Sequence, residues 1–159
     1  MLRLILVRHA KSSWSDPGLP DFDRPLAPRG RRAAAWLGEA LHRRHLVPSL
    51  ILCSPAVRTR ETLVLSGMKG EVRFEPALYE DRDRDYLEIL GNLDGAASPL
   101  ALVGHNSAMA VTTARLTGGA AVGEFSTAAF AVIDVPAERW QELRAGQGTL
   151  VEYCVPPKE

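Results

Sequence analysis

The stretch that decides the fold is LRLILVRHA, residues 2–10. Leu2–Val7 is a run of leucine and β-branched residues without polar alternation. Such runs are typical of strands that are covered on both faces of an open α/β sheet. The run is too short for a signal-peptide core or a transmembrane helix. We therefore predict a buried first strand that delivers Arg8 and His9 to its carboxyl end.

Strand-like and helix-like segments alternate through the rest of the chain. A polar stretch rich in proline and glycine, Ser12–Arg29, is expected to form a long loop after the first strand. The predicted helices are Arg31–Leu46, Val57–Leu65, Asp83–Leu93, Asn106–Leu116 and Ala137–Leu143. The further predicted strands are Leu50–Cys53, Glu71–Phe74, Leu100–Val103, Phe130–Val135 and Thr149–Val155. This alternation predicts a three-layer α/β/α sandwich with a mostly parallel central sheet, formed by one domain over residues 1–159.

The composition indicates a globular protein without a strong charge bias. The 159 residues include 19 Lys and Arg and 19 Asp and Glu, so the formal net charge is zero. This balance argues against nucleic acid or a membrane surface as the main partner. Cys53 and Cys154 are far apart in sequence and lack metal-ligand spacing, which favours reduced thiols and a cytoplasmic location.

Three of the apolar strands lead directly into polar side chains. The groups that follow them are Arg8 and His9 after the first strand, Ser54 and Arg58 after the second, and His105 and Asn106 after Val103. Parallel strands bring their carboxyl ends to one edge of a sheet, where ligands bind in open α/β folds. We therefore expect these groups to share one cleft.

Two arginines and two histidines in one cleft form a strongly positive site. A guanidinium fork matches two phosphate oxygens at once, and a phosphoryl group carries about two negative charges near neutral pH. Helix N-termini after Pro55 and after His105 would add backbone N–H donors. A histidine can also act as a nucleophile, and neighbouring positive charge lowers its pKa and favours the neutral, attacking form. The residues predict a phosphate pocket in which a histidine can form a covalent intermediate.

Three motifs, in this order, resemble those of the histidine phosphatase superfamily, which has the phosphoglycerate mutase-like fold. They are LILVRHA at 4–10, SPAVRTRET at 54–62 and VGHN at 103–106. Ala10 stands where members of the superfamily usually have glycine. The short chain and the segments RHAKSSW and DFDRPLAPRG are similar to the SixA-type phosphohistidine phosphatases.

The resemblance implies a role for each group of the expected pocket. His9 is the implied phosphoryl acceptor. Arg8, Arg58 and His105 are the implied ligands of the phosphoryl oxygens. The resemblance also implies that neither a metal nor an organic cofactor is needed.

Other candidates depend on weaker signals. Glu80, in the segment ALYEDRDRD, resembles the general acid of the mutase branch, with Asp81 and Asp83 as neighbouring alternatives. The further candidates for phosphate contacts are Lys11, Ser12 and Asn106.

Two substrate classes follow from these expectations. The first is phosphohistidine in a protein, because a phosphorylated imidazole leaves more easily than an alkoxide and the short chain has no large insertion to cover the pocket. The alternative is a small phosphorylated metabolite, with Glu80 as the acid that protonates an alcohol leaving group. A non-catalytic phosphate-binding module is less favoured, since binding alone does not require His9. The expected partner is thus a phosphorylated substrate, which includes a phosphohistidine-bearing protein domain, and not nucleic acid or a membrane.

Overall fold

The structure, a computed structural model, describes residues 1–119 and 123–158. It contains a six-stranded sheet with the order β3-β2-β4-β1-β5-β6. The strands are β1 (Leu2–Arg8), β2 (Leu50–Cys53), β3 (Glu71–Phe74), β4 (Leu100–Gly104), β5 (Phe130–Val135) and β6 (Thr149–Cys154). Strands β1 to β4 are parallel to one another, whereas β5 and β6 are antiparallel to their neighbours. The prediction of a mostly parallel central sheet is confirmed.

Helices cover both faces of this sheet. They are α1 (Pro28–Arg43), α2 (Val57–Ser66), α3 (Ala77–Glu80), α4 (Leu87–Gly91) and α5 (Ala108–Leu116), with short 3₁₀ turns at Asp21–Asp23 and Trp140–Glu142. Over residues 1–119 and 123–158, none of the helices has the length and apolar character that crossing a bilayer requires.

Strand β1 lies in the centre and supplies side chains to both layers of the core. Leu4 and Leu6 pack in a cluster with residues of α4 and α5. Ile5 and Val7 pack in the opposite cluster, with residues of α1 and α2. All four side chains are fully buried. The unbroken apolar run of the sequence thus reflects a strand that is covered on both faces, and the predicted three-layer arrangement is confirmed.

Two predicted helices differ from the structure. The helix expected over 83–93 begins only at Leu87, whose N–H is bound by the Asp85 carboxylate, and the preceding charged residues form turns. The helix expected over 137–143 is reduced to the 3₁₀ turn Trp140–Glu142. The backbone at Arg139 is extended, and the Glu142 carboxylate accepts its N–H, so an α-helical turn cannot start earlier. Burial of the Trp140 ring holds this segment against the sheet instead.

The long loop between β1 and α1 is folded back on itself and is well connected. The N–H of Ser13 donates to the carbonyl of Pro25 (2.8 Å), and the N–H of Ala27 donates to the carbonyl of Lys11 (2.9 Å). The start of α1 lies against the same carbonyl: a Cβ on Gly30 would be 2.1 Å from it, so only glycine fits. These contacts fix the 3₁₀ turn Asp21–Asp23, which lies at the tip of the loop.

Candidate active site

Main-chain hydrogen bonds of the parallel strands bring the predicted groups to one edge of the sheet. The N–H of His9 donates to the carbonyl of Gly104 (3.0 Å), and the N–H of Ser54 donates to the carbonyl of Val103 (2.9 Å). The rings of His9 and His105 consequently lie 5.3 Å apart, centroid to centroid. Arg58, in the first turn of α2, reaches the same place, with its Nε 3.4 Å from the Nε2 of His9.

The imidazole of His9 is held in one orientation. Only 7% of the residue is exposed, and its Nδ1 lies 2.6 Å from the carbonyl oxygen of Ala10. Because a carbonyl only accepts, Nδ1 carries the proton and the lone pair is on Nε2. Burial, together with the positive charges of Arg58 and Arg8, lowers the pKa of His9 to about 3. His9 is therefore neutral at physiological pH, and Nε2, which accepts the Arg58 Nε–H, has the lone pair that a nucleophile needs.

Arg58 presents a specific edge to His9. The residue is 5% exposed, and both of its terminal nitrogens are bound by Asp21: Nη1 donates to the carbonyl (2.8 Å) and Nη2 to Oδ2 (3.0 Å). The Nε–H is the donor directed at His9. The guanidinium is thus held at one end and faces the histidine with its side.

His105 and Arg8 each have a buried nitrogen without a hydrogen-bond partner in the described part of the chain. In His105, which is 1% exposed, Nε2 lies 2.8 Å from the Ser54 hydroxyl, and Nδ1 is the unpartnered atom. In Arg8, Nη1 donates to the carbonyl of Phe125 (2.6 Å), and Nε is the unpartnered atom. Buried nitrogens of this kind are costly unless a ligand satisfies them, and an oxyanion can do so.

The pKa of His105 is also strongly lowered. Burial is the largest cause, followed by the neighbouring His9 and the positive charge of Arg58, and together they bring it to about 2. Both imidazoles are therefore neutral at pH 7, and the positive charge near them is carried by arginine. A site with fixed guanidinium charge and neutral imidazoles suits a dianionic tetrahedral group.

Glu80 lies at the last position of α3, and its side chain is exposed. The preceding residue, Tyr79, is the one that meets the pocket. Its hydroxyl donates to Oδ2 of Asp21 (2.8 Å), and its ring packs edge-on against the His105 ring at 5.5 Å. The structure thus places a phenol against His105, while the predicted carboxyl group of Glu80 is exposed.

The three candidates for additional phosphate contacts have other partners. Lys11 is exposed, and its carbonyl ties down the loop before α1. The hydroxyl of Ser12 is hydrogen-bonded to Nη2 of Arg24. Asn106 lies just before α5, where its Oδ1 accepts the N–H of Ala110 (3.1 Å). The contacts of Ser12 and Asn106 organise the loop and the helix start that flank the pocket.

Asp21 is the residue that the sequence analysis missed. Burial alone would raise the pKa of its carboxyl group, but the hydrogen bond from Tyr79 and the charge of Arg58 outweigh this and lower it to about 2. The composition of its segment, which is dominated by proline, glycine and aspartate, predicts only a loop. The resemblance of DFDRPLAPRG to a family segment assigns no role to an individual residue.

Residues suited to a metal ion do not gather near this site. Across residues 1–119 and 123–158, no three or more His, Cys, Asp or Glu side chains lie close enough to hold one. The carboxylate of Asp21, which accepts the Tyr79 hydroxyl, is already bound to Arg58.

Comparison with known proteins agrees with this fold. The family model of the histidine phosphatase superfamily (branch 1) matches residues 4–87. An uncharacterised protein of Mycobacterium tuberculosis (strain CDC 1551 / Oshkosh) is 36% identical over 159 residues, covering 94% of this chain and 99% of the relative. The structure of a candidate phosphohistidine phosphatase SixA from Nakamurella multipartitia superimposes with a TM-score of 0.82 at 28% identity, covering 98% of this chain and 96% of that one. A candidate SixA from Agrobacterium tumefaciens gives the same TM-score and identity and covers 98% of both chains.

Proposed function

We propose, from the premise that the chain belongs to branch 1 of the histidine phosphatase superfamily, that it is a phosphatase that acts on phosphohistidine in a protein. In this proposal His9 accepts the phosphoryl group, and water then hydrolyses the phosphohistidine intermediate. The similarity to two structures described as candidate SixA proteins supports this substrate class.

The state of His9 is the observation that carries the proposal. Its Nδ1 is committed to the Ala10 carbonyl, its Nε2 has the lone pair, and Arg58 directs an N–H to the same atom. A phosphoryl group bound above Nε2 would be attacked in line, so that a new P–N bond forms to His9 as the bond to the leaving nitrogen breaks. The electron pair of the broken bond goes to the leaving imidazole. In the second step a water oxygen attacks phosphorus, the P–N bond to His9 breaks, and its electron pair returns to Nε2. Inorganic phosphate departs with the protons of the water, one of which it releases to solvent.

The guanidinium groups would stabilise the charge that spreads over the transferring oxygens. Arg58 approaches from the side of His9, and Arg8 has a buried, unpartnered Nε at the end of the same strand as the nucleophile. The Nδ1 of His105 is a further buried atom of this kind. Positioned donors of this type typically contribute about 10²- to 10³-fold each to the rate.

The leaving group decides between the two substrate classes. An alcohol needs a proton from a positioned acid as it departs, whereas a phosphorylated imidazole can take a proton from solvent on its distal nitrogen and leave as neutral imidazole. Asp21, the carboxyl group in contact with the pocket residues, is ionised at neutral pH and paired with Arg58, so it cannot act as an acid. Glu80 is exposed at the end of α3. This arrangement favours phosphohistidine over a sugar or glycerol phosphate.

The test compares three substrates on one pure preparation: a phosphohistidine peptide, a sugar phosphate and an aryl phosphate. We expect the highest kcat/KM for the phosphohistidine peptide. We also expect an acid-labile phosphoenzyme on His9 in the wild type, its loss in His9→Ala, and its retention in the control His42→Ala, which changes an exposed histidine of α1. Faster turnover of the sugar phosphate would overturn the substrate class. A phosphoenzyme in His9→Ala would overturn the mechanism.

A further inference from the structure

The two edges of the Arg58 guanidinium have different hydrogen-bond partners. The end-on edge, formed by Nη1 and Nη2, is occupied by one residue, which accepts through its carbonyl and its carboxylate at 2.8 and 3.0 Å. The side-on edge begins with Nε, which lies 3.4 Å from Nε2 of His9. A planar guanidinium that is held at two nitrogens cannot rotate about its own axis. Asp21 thus determines which edge faces the histidine.

Asp21 is itself held by groups from two other parts of the fold. The hydroxyl of Tyr79 on α3 donates to the same Oδ2 that Arg58 uses. Nη1 of Arg24 donates to Oδ1 at 2.9 Å, and Nε of Arg24 donates to the carbonyl of Ser13. Both carboxylate oxygens therefore have charged or hydroxyl donors, and the orientation of the carboxylate is fixed.

The Asp21 carboxylate lies next to the proposed binding site of an anion. Its negative charge opposes the binding of a phosphoryl group, because like charges a few ångströms apart repel strongly in a partly buried site. A neutral side chain at this position could also bind Arg58 and would repel the substrate less. The gain that offsets this cost is geometric, since a charge-assisted grip on two nitrogens fixes an arginine more firmly than a neutral acceptor does.

We propose that Asp21 is a positioning residue for phosphoryl transfer, which turns the Nε edge of Arg58 onto the group transferred to His9. The proposal rests on the proposed function, because it assumes that His9 is the acceptor. Asp21 acts only through Arg58 and makes no contact with the transferred group. Tyr79 and Arg24 support it by fixing the carboxylate.

The test is Asp21→Asn, which keeps the shape of the side chain and removes its charge. We expect the rate of phosphoenzyme formation to fall about 10²-fold, the loss typical of a displaced catalytic group. KM should not rise, because removing the negative charge favours substrate binding. The matched control is Asp23→Asn, which makes the same charge change at an exposed residue of the same turn and should leave the rate unchanged.

A second measurement separates positioning from a general loss of structure. In the Arg58→Ala variant, adding Asp21→Asn should not lower the rate of phosphoenzyme formation any further, because Asp21 acts through Arg58. Tyr79→Phe keeps the ring against His105 and removes one donor to Asp21, so we expect a loss of about 3- to 10-fold.

The outcomes distinguish the two proposals. If the wild type forms no phosphoenzyme on His9, the proposed function is wrong. If it does, and Asp21→Asn forms it as fast as Asp23→Asn, the positioning role of Asp21 is wrong while the function stands. Equal losses from Asp21→Asn with and without Arg58 would also overturn the positioning role, since they would show that the residue acts by another route.

Discussion

The neutral, buried histidines should make the protein sensitive to mild acid, and His9→Asn should remove about half of this sensitivity. The pKa of His9 is lowered from 6.5 to about 3 in the folded state. Its unfolded pKa is the ordinary value, so the unfolded chain binds a proton below pH 6.5 that the folded protein rejects. The lowered pKa therefore has no effect on stability above about pH 6.5 and destabilises the folded state progressively as the pH falls toward 3. His105, whose pKa is lowered to about 2, behaves in the same way.

The expected loss in the free energy of unfolding depends on the pH range over which it is measured. Between pH 6.5 and pH 5.0, proton uptake by one histidine of the unfolded chain lowers the free energy of unfolding by about 1.5 kcal/mol. Two such histidines give about 3 kcal/mol, a large share of the 5–15 kcal/mol typical of a domain. Carboxyl groups contribute little in this window, because their ordinary pKa values lie near 4.

Urea unfolding at several pH values between 5.0 and 6.5 measures this dependence. Wild type should lose about 3 kcal/mol across the window and His9→Asn about 1.5 kcal/mol. His42→Asn is the control, since this histidine is exposed and its removal should leave the wild-type slope unchanged. An unchanged slope in His9→Asn would refute the inference that His9 is held neutral by burial and by Arg58 and Arg8.

Three further changes test other parts of the site. Glu80→Gln should leave phosphate release from a phosphohistidine peptide within about twofold of wild type, because the residue is exposed at the end of α3; a loss above about tenfold would contradict the argument that this reaction needs no carboxylic acid. Ser54→Ala removes the hydroxyl that lies 2.8 Å from Nε2 of His105, so kcat/KM should fall about tenfold, with an unchanged value contradicting a role for this contact. Gly30→Ala would place a Cβ 2.1 Å from the Lys11 carbonyl and should lower Tm by several degrees in a thermal melt, since relief of this clash costs about 1–3 kcal/mol; an unchanged Tm would show that α1 shifts freely.

The sequence predicts the centre of this fold well because the strands are buried on both faces. In β1, β2 and β4 the apolar runs leave little choice of element, and each run ends where a polar group begins. The register then follows from parallel pairing, in which Val7 and Cys53 both lie beside Val103. The expectation that three strand ends meet at one edge depends on nothing else.

Elements held by side-chain contacts are harder to predict. The 137–143 segment has a helical composition, but the Glu142 carboxylate binds the N–H groups of Glu138 and Arg139 and so limits it to one 3₁₀ turn. Asp21 and Arg58 are 37 residues apart in sequence, and the residues next to Asp21 in the sequence do not indicate their contact. Local sequence patterns do not indicate pairings of this kind, because such pairings depend on how a loop packs after the sheet has formed.

The candidate site accordingly has two parts with different origins. His9 and Ser54 are placed by main-chain hydrogen bonds to β4, and His105 follows β4 directly, where its N–H donates to the Tyr86 hydroxyl. The orientation of Arg58 depends on Asp21, which lies in a loop and is held by side chains of Tyr79 and Arg24. Because loops tolerate sequence change better than a central sheet does, changes in this loop can alter how Arg58 meets a phosphoryl group without moving the nucleophile. In the proposed reaction, the nucleophile and the loop that orients Arg58 can therefore vary independently.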